Sequence, residues 1–146
     1  MEQDQTKIRH IWNQERVPVI HRRTGEREKH RVRLPYSKEN RTWLQHSGRA
    51  EPVWNRLEKC WLTPKSWFNG LVKRCLEHYG SVYIVQPYNE MEKCAPACKN
   101  ATGFECECSC MGAYHGIRND GSWFEVDEAF AFRWKGQSLA CRLLRR

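Results

Sequence analysis

The sequence predicts an α+β fold: a small single domain of β-hairpins and two helices that carries a zinc-binding knuckle. Three observations predict it, namely short runs with strand patterning, two segments with helical spacing, and a dense cluster of cysteines. A length of 146 residues suits one domain. Within 1–146 we distinguish a basic, tryptophan-rich part (1–88), the knuckle (89–120) and a C-terminal hairpin (121–146).

The first part of the chain predicts a β-hairpin. Residues 1–7 are polar and are expected to be frayed. Strands are predicted at 16–21 and 30–34, on either side of a charged turn. Because proline donates no backbone hydrogen bond, Pro18 restricts the first of these strands to a sheet edge.

Positive charge is concentrated in the first half of the chain. The net charge is +8, and residues 1–75 hold 17 Lys and Arg against 8 Asp and Glu, which leaves −1 for the remainder. This asymmetry favours a polyanionic partner, most simply nucleic acid, and a solvated basic surface is the alternative. The candidate phosphate-binding residues lie on the predicted hairpin: Arg22, Arg23, Arg27, Lys29, Arg31 and Arg33.

Two of these arginines are predicted to act together. Arg31 and Arg33 share one strand face because side chains alternate along a strand, and that arrangement suits backbone phosphates. A charged edge strand that resists aggregation has the same pattern.

A tryptophan-rich segment follows the hairpin. Ser37 is expected to cap a short helix over 38–46, and short strands are predicted at 52–55 and 59–62. Exposed tryptophans in such a segment can stack on unpaired bases. Trp43 and Trp61 are the candidates.

A longer helix is predicted from Pro64 to Gly80, with Thr63 as its cap. Its apolar side chains recur at helical spacing, which indicates a core stripe rather than a ligand site. The apolar run Ser81–Val85 predicts a central strand covered on both faces. Strands around a turn at 135–136 are predicted to form the C-terminal hairpin, at 123–126, 129–134 and 138–144.

The cysteine segment predicts zinc as a cofactor. Five of the eight cysteines and one of the six histidines lie within 22 residues. Thiolate and imidazole are the ligands that Zn²⁺ prefers, and a structural zinc takes four of them. The candidate ligands are Cys94, Cys98, Cys106, Cys108, Cys110 and His115.

The composition of the ligand set stays open. Cys106 and Cys110 would lie about 13 Å apart in an extended chain. All three of these cysteines, Cys106, Cys108 and Cys110, can therefore bind one ion only if the chain turns tightly there. The expected set is Cys94 and Cys98 with two of the other four. A second ion or an iron–sulfur cluster would use the rest, although the usual cluster spacings differ from this one.

Disulfides and inert thiols are the alternatives to a metal site. Disulfides require an oxidising compartment, and the N-terminus shows no apolar signal segment. Inert cysteines are usually buried among apolar neighbours, whereas these have charged ones. No apolar run is long enough to span a membrane, so a cytoplasmic protein is expected.

Two stretches resemble known families. The segment Cys94-Ala-Pro-Ala-Cys98 through His115-Gly116 resembles a cysteine knuckle of uncharacterised small proteins of bacteria and their phages, which implies a metal site but no activity. The segment from Asn40-Arg41-Thr42-Trp43-Leu44 to Pro64 is similar to the HARP motif of annealing helicases. That motif is a short helix followed by a tryptophan-bearing hairpin that ends in proline. It contributes to binding forked DNA, so the resemblance favours DNA as the partner. No helicase motif accompanies it.

Three functions are consistent with these observations. The first is a zinc-stabilised module that binds nucleic acid without reading its sequence. The second is a metal-dependent nuclease with His115, Asp120 and Glu125 near the metal, although a catalytic zinc keeps an open coordination position that cysteine-rich sites usually lack. The third is a phage or bacterial adaptor that binds a protein partner through its tryptophan-rich surface. The deaminase spacing, the P-loop and the dinucleotide fingerprint do not occur.

Overall fold

The computed structural model describes residues 2–45, 50–87, 125–134 and 136–146, with the side chains of all of these except 2–4 and 125–129. This part of the chain contains helices and strands in one α+β arrangement, which confirms the predicted class. The helices are α1 (Glu2–Asn13), α2 (Asn40–Gln45) and α3 (Phe68–Tyr79). The strands are β1 (Val19–His21), β2 (His30–Arg33), β3 (Val53–Asn55), β4 (Cys60–Thr63), β5 (Ser81–Pro87), β6 (Glu125–Trp134) and β7 (Gln137–Arg145).

The strands form one seven-stranded sheet in the order β3-β4-β2-β1-β5-β7-β6. β1 and β5 are parallel, and the other neighbours are antiparallel. The N-terminal hairpin is confirmed, because Ile20 of β1 lies opposite Val32 of β2. The strands predicted at 52–55 and 59–62 are confirmed as β3 and β4. β6 covers the described part of the segments predicted at 123–126 and 129–134, has an irregularity between Val126 and Glu128, and pairs with β7.

The strands in the middle of the sheet, β1 and β5, have buried side chains on both faces. β5 lies between β1 and β7, as its apolar run predicts. β1 is also interior, which corrects the expectation that Pro18 places it at an edge. Pro18 lies before the first paired residue of β1 and contributes only its carbonyl, which accepts a hydrogen bond of 2.9 Å from the Tyr83 N–H. The missing proline donor therefore leaves the ladder intact.

Two apolar cores lie on opposite faces of the sheet, because alternate residues of each strand point to opposite sides. The first core joins α2 and α3 to the sheet: Ile20, Val32, Leu44, Phe68, Leu71, Val72, Cys75, Leu76, Val82, Ile84 and Leu144. The second joins α1 to the sheet: Ile8, Ile11, Val19, Val85, Phe132, Leu139 and Cys141. The apolar stripe of α3 is thus core, as predicted.

α1 corrects the prediction of two helices and of a frayed N-terminus. The polar composition of residues 1–7 predicts fraying, but the helix begins at Glu2. Ile8, Ile11 and Trp12 recur at the spacing of one helix face. Ile8 and Ile11 are buried in the second core, so tertiary packing stabilises a helix whose first turns are polar.

α3 begins later than its sequence predicts. Thr63 is the last residue of β4, and its buried hydroxyl has no hydrogen-bond partner among the described residues, so it is not the cap. A single 3-10 turn over Lys65–Trp67 follows Pro64 and leads into the helix. The predicted end is confirmed, because Gly80 has a φ of 85° and its N–H donates to the Leu76 carbonyl.

α2 is a short helix that α3 fastens in place. It lies within the predicted 38–46, and the Ser37 hydroxyl accepts a hydrogen bond of 3.2 Å from the Glu39 N–H just before it. At its other end the Arg74 guanidinium donates to the carbonyls of Trp43 and Leu44. The same guanidinium lies 4.3 Å from the centre of the Trp43 ring. Arg74 therefore satisfies helix-end carbonyls and holds Trp43 against the first core.

Arg74→Gln is expected to lower the free energy of unfolding by about 1–3 kcal/mol, because it leaves part-buried carbonyls of α2 without a charged donor. Urea denaturation measures the change. Lys73→Gln, at the exposed neighbouring position, is the matched control and should leave stability nearly unchanged. Equal stability of the two variants would show that Arg74 does not stabilise α2.

Candidate nucleic-acid interface

A groove of about 530 Å³ opens at one end of the sheet. Its walls are the C-terminal half of α1, the residues that follow β1, the end of β5 and the β6–β7 hairpin. Because β1 and β5 are parallel, their carboxyl ends meet at this edge. Crevices at the carboxyl ends of parallel strands are common ligand sites in open sheets.

Two half-buried tryptophans line the groove, Trp12 from α1 and Trp134 from the end of β6. A guanidinium lies against each ring. The Arg9 guanidinium is 5.7 Å from the centre of the Trp134 ring, and that of Arg31 is 4.7 Å from the centre of the Trp12 ring. The groove therefore presents aromatic surface and positive charge side by side.

The end of β1 and the turn after it place Arg22 and Arg23 in the lining of the groove, although the Arg22 guanidinium lies 5.7 Å from the centre of the Phe68 ring, which belongs to the first core. The Arg22 backbone N–H donates to the Val85 carbonyl at 2.7 Å, which extends the pairing of β1 with β5 by one residue. The Arg23 Nε donates to the Lys29 carbonyl at 2.6 Å, and its guanidinium lies 3.4 Å from the Glu28 carboxylate. A backbone bond therefore fixes the Arg22 main chain, and side-chain contacts hold the Arg23 guanidinium against the hairpin turn.

Arg31 and Arg33 lie on one face of β2, as predicted, and both reach Trp12. Arg31 forms an ion pair of 2.5 Å with Glu58. Arg33 donates to the Trp12 carbonyl at 2.6 Å and approaches the Asn13 Oδ1 at 3.4 Å, at the C-terminal end of α1. Arg33 thus satisfies a helix-end carbonyl and fastens α1 to the sheet, a role that its strand pattern does not predict.

His30 supports the turn from inside the protein. Its Nδ1 accepts a hydrogen bond of 3.1 Å from the Arg23 N–H, and its Nε2 lies 3.3 Å from the Lys65 carbonyl. These partners require a neutral imidazole that carries its proton on Nε2. Burial lowers the pKa of His30 to about 4, and the positive charges of Arg22, Lys65 and Arg23 act in the same direction. The hydrogen bond to the Lys65 carbonyl opposes this shift.

His21 lines the groove at the end of β1. Burial, followed by the positive charges of Arg31 and Arg23 and by His30, lowers the pKa of His21 to about 3. Its ring is therefore neutral near pH 7, where one nitrogen donates a hydrogen bond and the other accepts one.

The two histidines should make the fold less stable in acid. Each has a pKa near 6.5 in the unfolded chain, so below pH 6.5 the unfolded state binds more protons than the folded state. The contribution of the two neutral histidines to the free energy of unfolding is complete above pH 6.5. It is lost as the pH falls towards 4 for His30 and towards 3 for His21. The slope is at most about 1.4 kcal/mol per pH unit for each histidine.

Urea denaturation between pH 7.5 and 4.5 measures this slope. His21→Gln should flatten it, whereas His10→Gln, at an exposed position of α1, should not. A slope that is unchanged by His21→Gln would mean that His21 titrates alike in the folded and unfolded chain.

The remaining basic candidates and both tryptophan candidates lie outside the groove wall. Arg27 and Lys29 are exposed on the hairpin turn. Trp43 and Trp61 are half-buried against the first core, on the sheet face opposite α1. Trp61 packs edge-to-face on Trp54 with 5.1 Å between ring centres. The structure therefore brings Arg22, Arg23 and Arg31 together and leaves the two predicted tryptophans elsewhere.

Arg9, Trp12 and Trp134 are groove residues that the sequence analysis missed. Trp12 belongs to the apolar face of α1, and that periodicity was the available signal. Trp134 immediately precedes the predicted turn at 135–136, which places it at an end of the sheet. Their meeting depends on the order of strands in the sheet, which local patterns do not reveal.

All the candidate zinc ligands, Cys94, Cys98, Cys106, Cys108, Cys110 and His115, lie outside the described residues. So does Asp120, and the side chain of Glu125 is not described either. Among the residues that are described, no three or more His, Cys, Asp or Glu form a group that could hold a metal ion. Cys60 and Cys75 are buried free thiols, and burial raises the pKa of Cys75 to about 12.

Comparison with protein-family models, with curated proteins and with solved structures finds no significant match for this chain. None of the helices in the described segments is long and apolar enough to cross a membrane. Function is therefore inferred from the chemistry of the groove and of the cysteine segment.

Proposed function

We propose that this chain is a zinc-stabilised protein that binds nucleic acid, with DNA favoured, without sequence preference. The observation that carries the proposal is the groove in which Arg9, Arg23 and Arg31 lie with Trp12 and Trp134. Guanidinium groups bind phosphates and aromatic rings stack on bases. One cavity thus offers both kinds of contact.

The charge around the groove supports a polyanionic ligand. The described residues that line it include four arginines and two glutamates, Glu28 and Glu58. Arg27 and Lys29 extend the positive charge on the exposed turn next to it. Phosphates that such groups neutralise release condensed counterions, which supplies most of the affinity of non-specific binding.

The nature of these contacts argues against sequence readout. Phosphate contacts position a ligand without reading bases, and stacking tolerates every base. DNA is favoured because the order of α2, the β3–β4 hairpin with Trp54 and Trp61, and Pro64 agrees with the helix, hairpin and proline of the HARP motif.

The zinc part of the proposal is drawn from the spacing of the cysteines in the sequence. The cysteine segment is joined to the described fold at Pro87, and Pro87 lines the groove. A metal that orders such a segment contributes its binding energy to folding.

Arg27→Gln with Lys29→Gln should weaken binding and its dependence on salt. If each side chain contacts one phosphate, the slope of log affinity against log salt falls by about 1.4–1.8. The measurement is anisotropy of labelled single-stranded, forked and duplex DNA at several salt concentrations. Arg31 and Arg33 are unsuitable for this test, because their side chains hold Glu58 and α1.

Lys38→Gln with Lys73→Gln is the matched control, since it removes the same charge from exposed positions beside α2 and in α3. Its salt slope should equal that of the wild type. Equal slopes for both double variants would remove the hairpin turn from the interface, and absence of binding to every probe at low salt would sink the proposed function.

The purified protein should carry about one equivalent of zinc. Cys94→Ser with Cys98→Ser should remove the metal and lower the melting temperature, because structural zinc stabilises the folded state. Cys75→Ala is the control: it alters a buried core thiol and should keep the metal. His115→Ala should weaken zinc retention more than His10→Ala does. Elemental analysis and thermal melts decide, and zinc-free wild-type protein would contradict the prediction.

A protein-binding adaptor is the second candidate, and the edge of the sheet favours it. β3 is the end strand in the sheet order, and its Trp54 is 44% exposed. Leu57, on the adjoining turn, is 96% exposed. Exposed apolar side chains at a sheet edge are typical of protein contacts. Binding of a partner through this edge should resist salt and be lost in Trp54→Ser, whereas DNA binding should weaken steeply as the salt concentration rises.

A further inference from the structure

We propose that the groove takes an unpaired nucleotide, with the base against Trp134 and Trp12 and the phosphate at the arginines of its mouth. This rests on the proposed function and deepens it, because it names the class of nucleic acid selected. The ligand chemistry is that of a nucleoside phosphate, held in a strand or free in solution.

The size of the groove excludes a duplex from its interior. A volume of about 530 Å³ falls in the range of about 300–1,000 Å³ that is typical of small-molecule sites. The major groove of an intact duplex is by itself about 12 Å wide, so the whole duplex is too wide to enter this cavity. It can contact only the rim of the cavity. A base must therefore leave its stack to enter, and that step is least costly where the base is already unpaired.

The aromatic walls supply what an unstacked base has lost. Trp12 and Trp134 are half-buried, so each keeps part of its surface accessible in the groove while the rest packs against the second core. Base stacking on aromatic rings contributes about 1–3 kcal/mol per base. Packing from behind also limits the motion of the rings, so little side-chain entropy is lost on binding.

Ion pairs at the mouth hold the rings and charges in position. Glu58 pairs with Arg31, whose guanidinium lies over Trp12. Glu28 pairs with Arg23, and the Arg23 backbone is fixed by His30. The arginines are therefore oriented before a phosphate arrives, which lowers the cost of binding.

Neutral His21 adds a polar group to the wall of the groove. One ring nitrogen donates and the other accepts, so it can contact a base edge of either polarity. A side chain that can both donate and accept a hydrogen bond suits a site that receives any of the four bases.

The test uses the full chain and four probes at low salt. They are a 12-nucleotide single strand, a long blunt duplex, the same duplex with one unpaired nucleotide in its middle, and thymidine 5′-monophosphate as a competitor. The single strand and the interrupted duplex should bind at least about tenfold more tightly than the blunt duplex, and the mononucleotide should compete only weakly, because it makes fewer phosphate contacts.

Trp134→Leu is the decisive variant. It should weaken binding of the single strand and of the interrupted duplex by roughly 5- to 150-fold, which corresponds to one lost stack. Binding of the blunt duplex should not change. Trp134→Phe should restore most of the affinity because it keeps a ring. Tyr36→Leu, which removes an exposed aromatic ring that does not line the groove, is the matched control and should leave every probe unaffected.

Arg9→Gln tests the same wall without altering the second core, because Arg9 is exposed on α1 and its guanidinium lies 5.7 Å from the centre of the Trp134 ring. It should weaken the same two probes. Thermal melts verify folding of each variant, and Arg9→Gln carries the test if Trp134→Leu does not fold.

The outcomes separate the two proposals. Equal binding of blunt duplex and single strand, both insensitive to Trp134→Leu and Arg9→Gln, overturns the unpaired nucleotide and leaves nucleic-acid binding standing. A mononucleotide that binds as tightly as the strand keeps the nucleotide site and overturns the proposed function. No binding of any probe overturns both.

Discussion

The parallel pairing of β1 with β5 is the constraint on which the rest of the structure depends. It joins the β3-β4-β2-β1 half of the sheet to the β5-β7-β6 half, and both apolar cores lie against it. Backbone bonds continue the pairing beyond the strands at both ends, from the Tyr83 N–H to the Pro18 carbonyl and from the Arg22 N–H to the Val85 carbonyl. The second of these bonds sets the position of the basic turn. A short stretch of ladder therefore decides both how the halves meet and where the groove opens.

Local patterning predicts most of the fold. The alternation of β2, the apolar run of β5 and the helical stripe of α3 each report which faces are covered, and burial of those faces is what the structure shows. α1 is not predicted because its first turns are polar and its apolar residues begin only at Ile8. The sequence analysis places Pro18 at a sheet edge because it assumes that the ladder needs a backbone N–H at this residue. In the structure Pro18 contributes only its carbonyl.

The candidate site is less predictable than the fold. Charge alone identifies the basic hairpin, and the structure brings Arg22, Arg23 and Arg31 to one groove. Charge does not show that Arg33 is committed to the end of α1, since that contact joins distant segments of the chain. Nor does it show that Trp12 and Trp134, from opposite ends of the sequence, provide the aromatic surface. Such residues are brought together by strand order, which must be known before the site can be recognised.

The strand order also has a consequence for how the chain folds. Val19 pairs with Tyr83 and Ser81 pairs with Arg145, so the partners of β5 lie up to 64 residues away from it along the chain. Contacts of such long range require closing large loops before they give any stabilisation, and they slow folding. During synthesis, β5 emerges well before β7, and the backbone N–H and C=O groups of the edge that β7 will cover stay unpaired until β7 arrives. The central strand is therefore the segment most at risk of pairing with another copy of the chain while folding is incomplete.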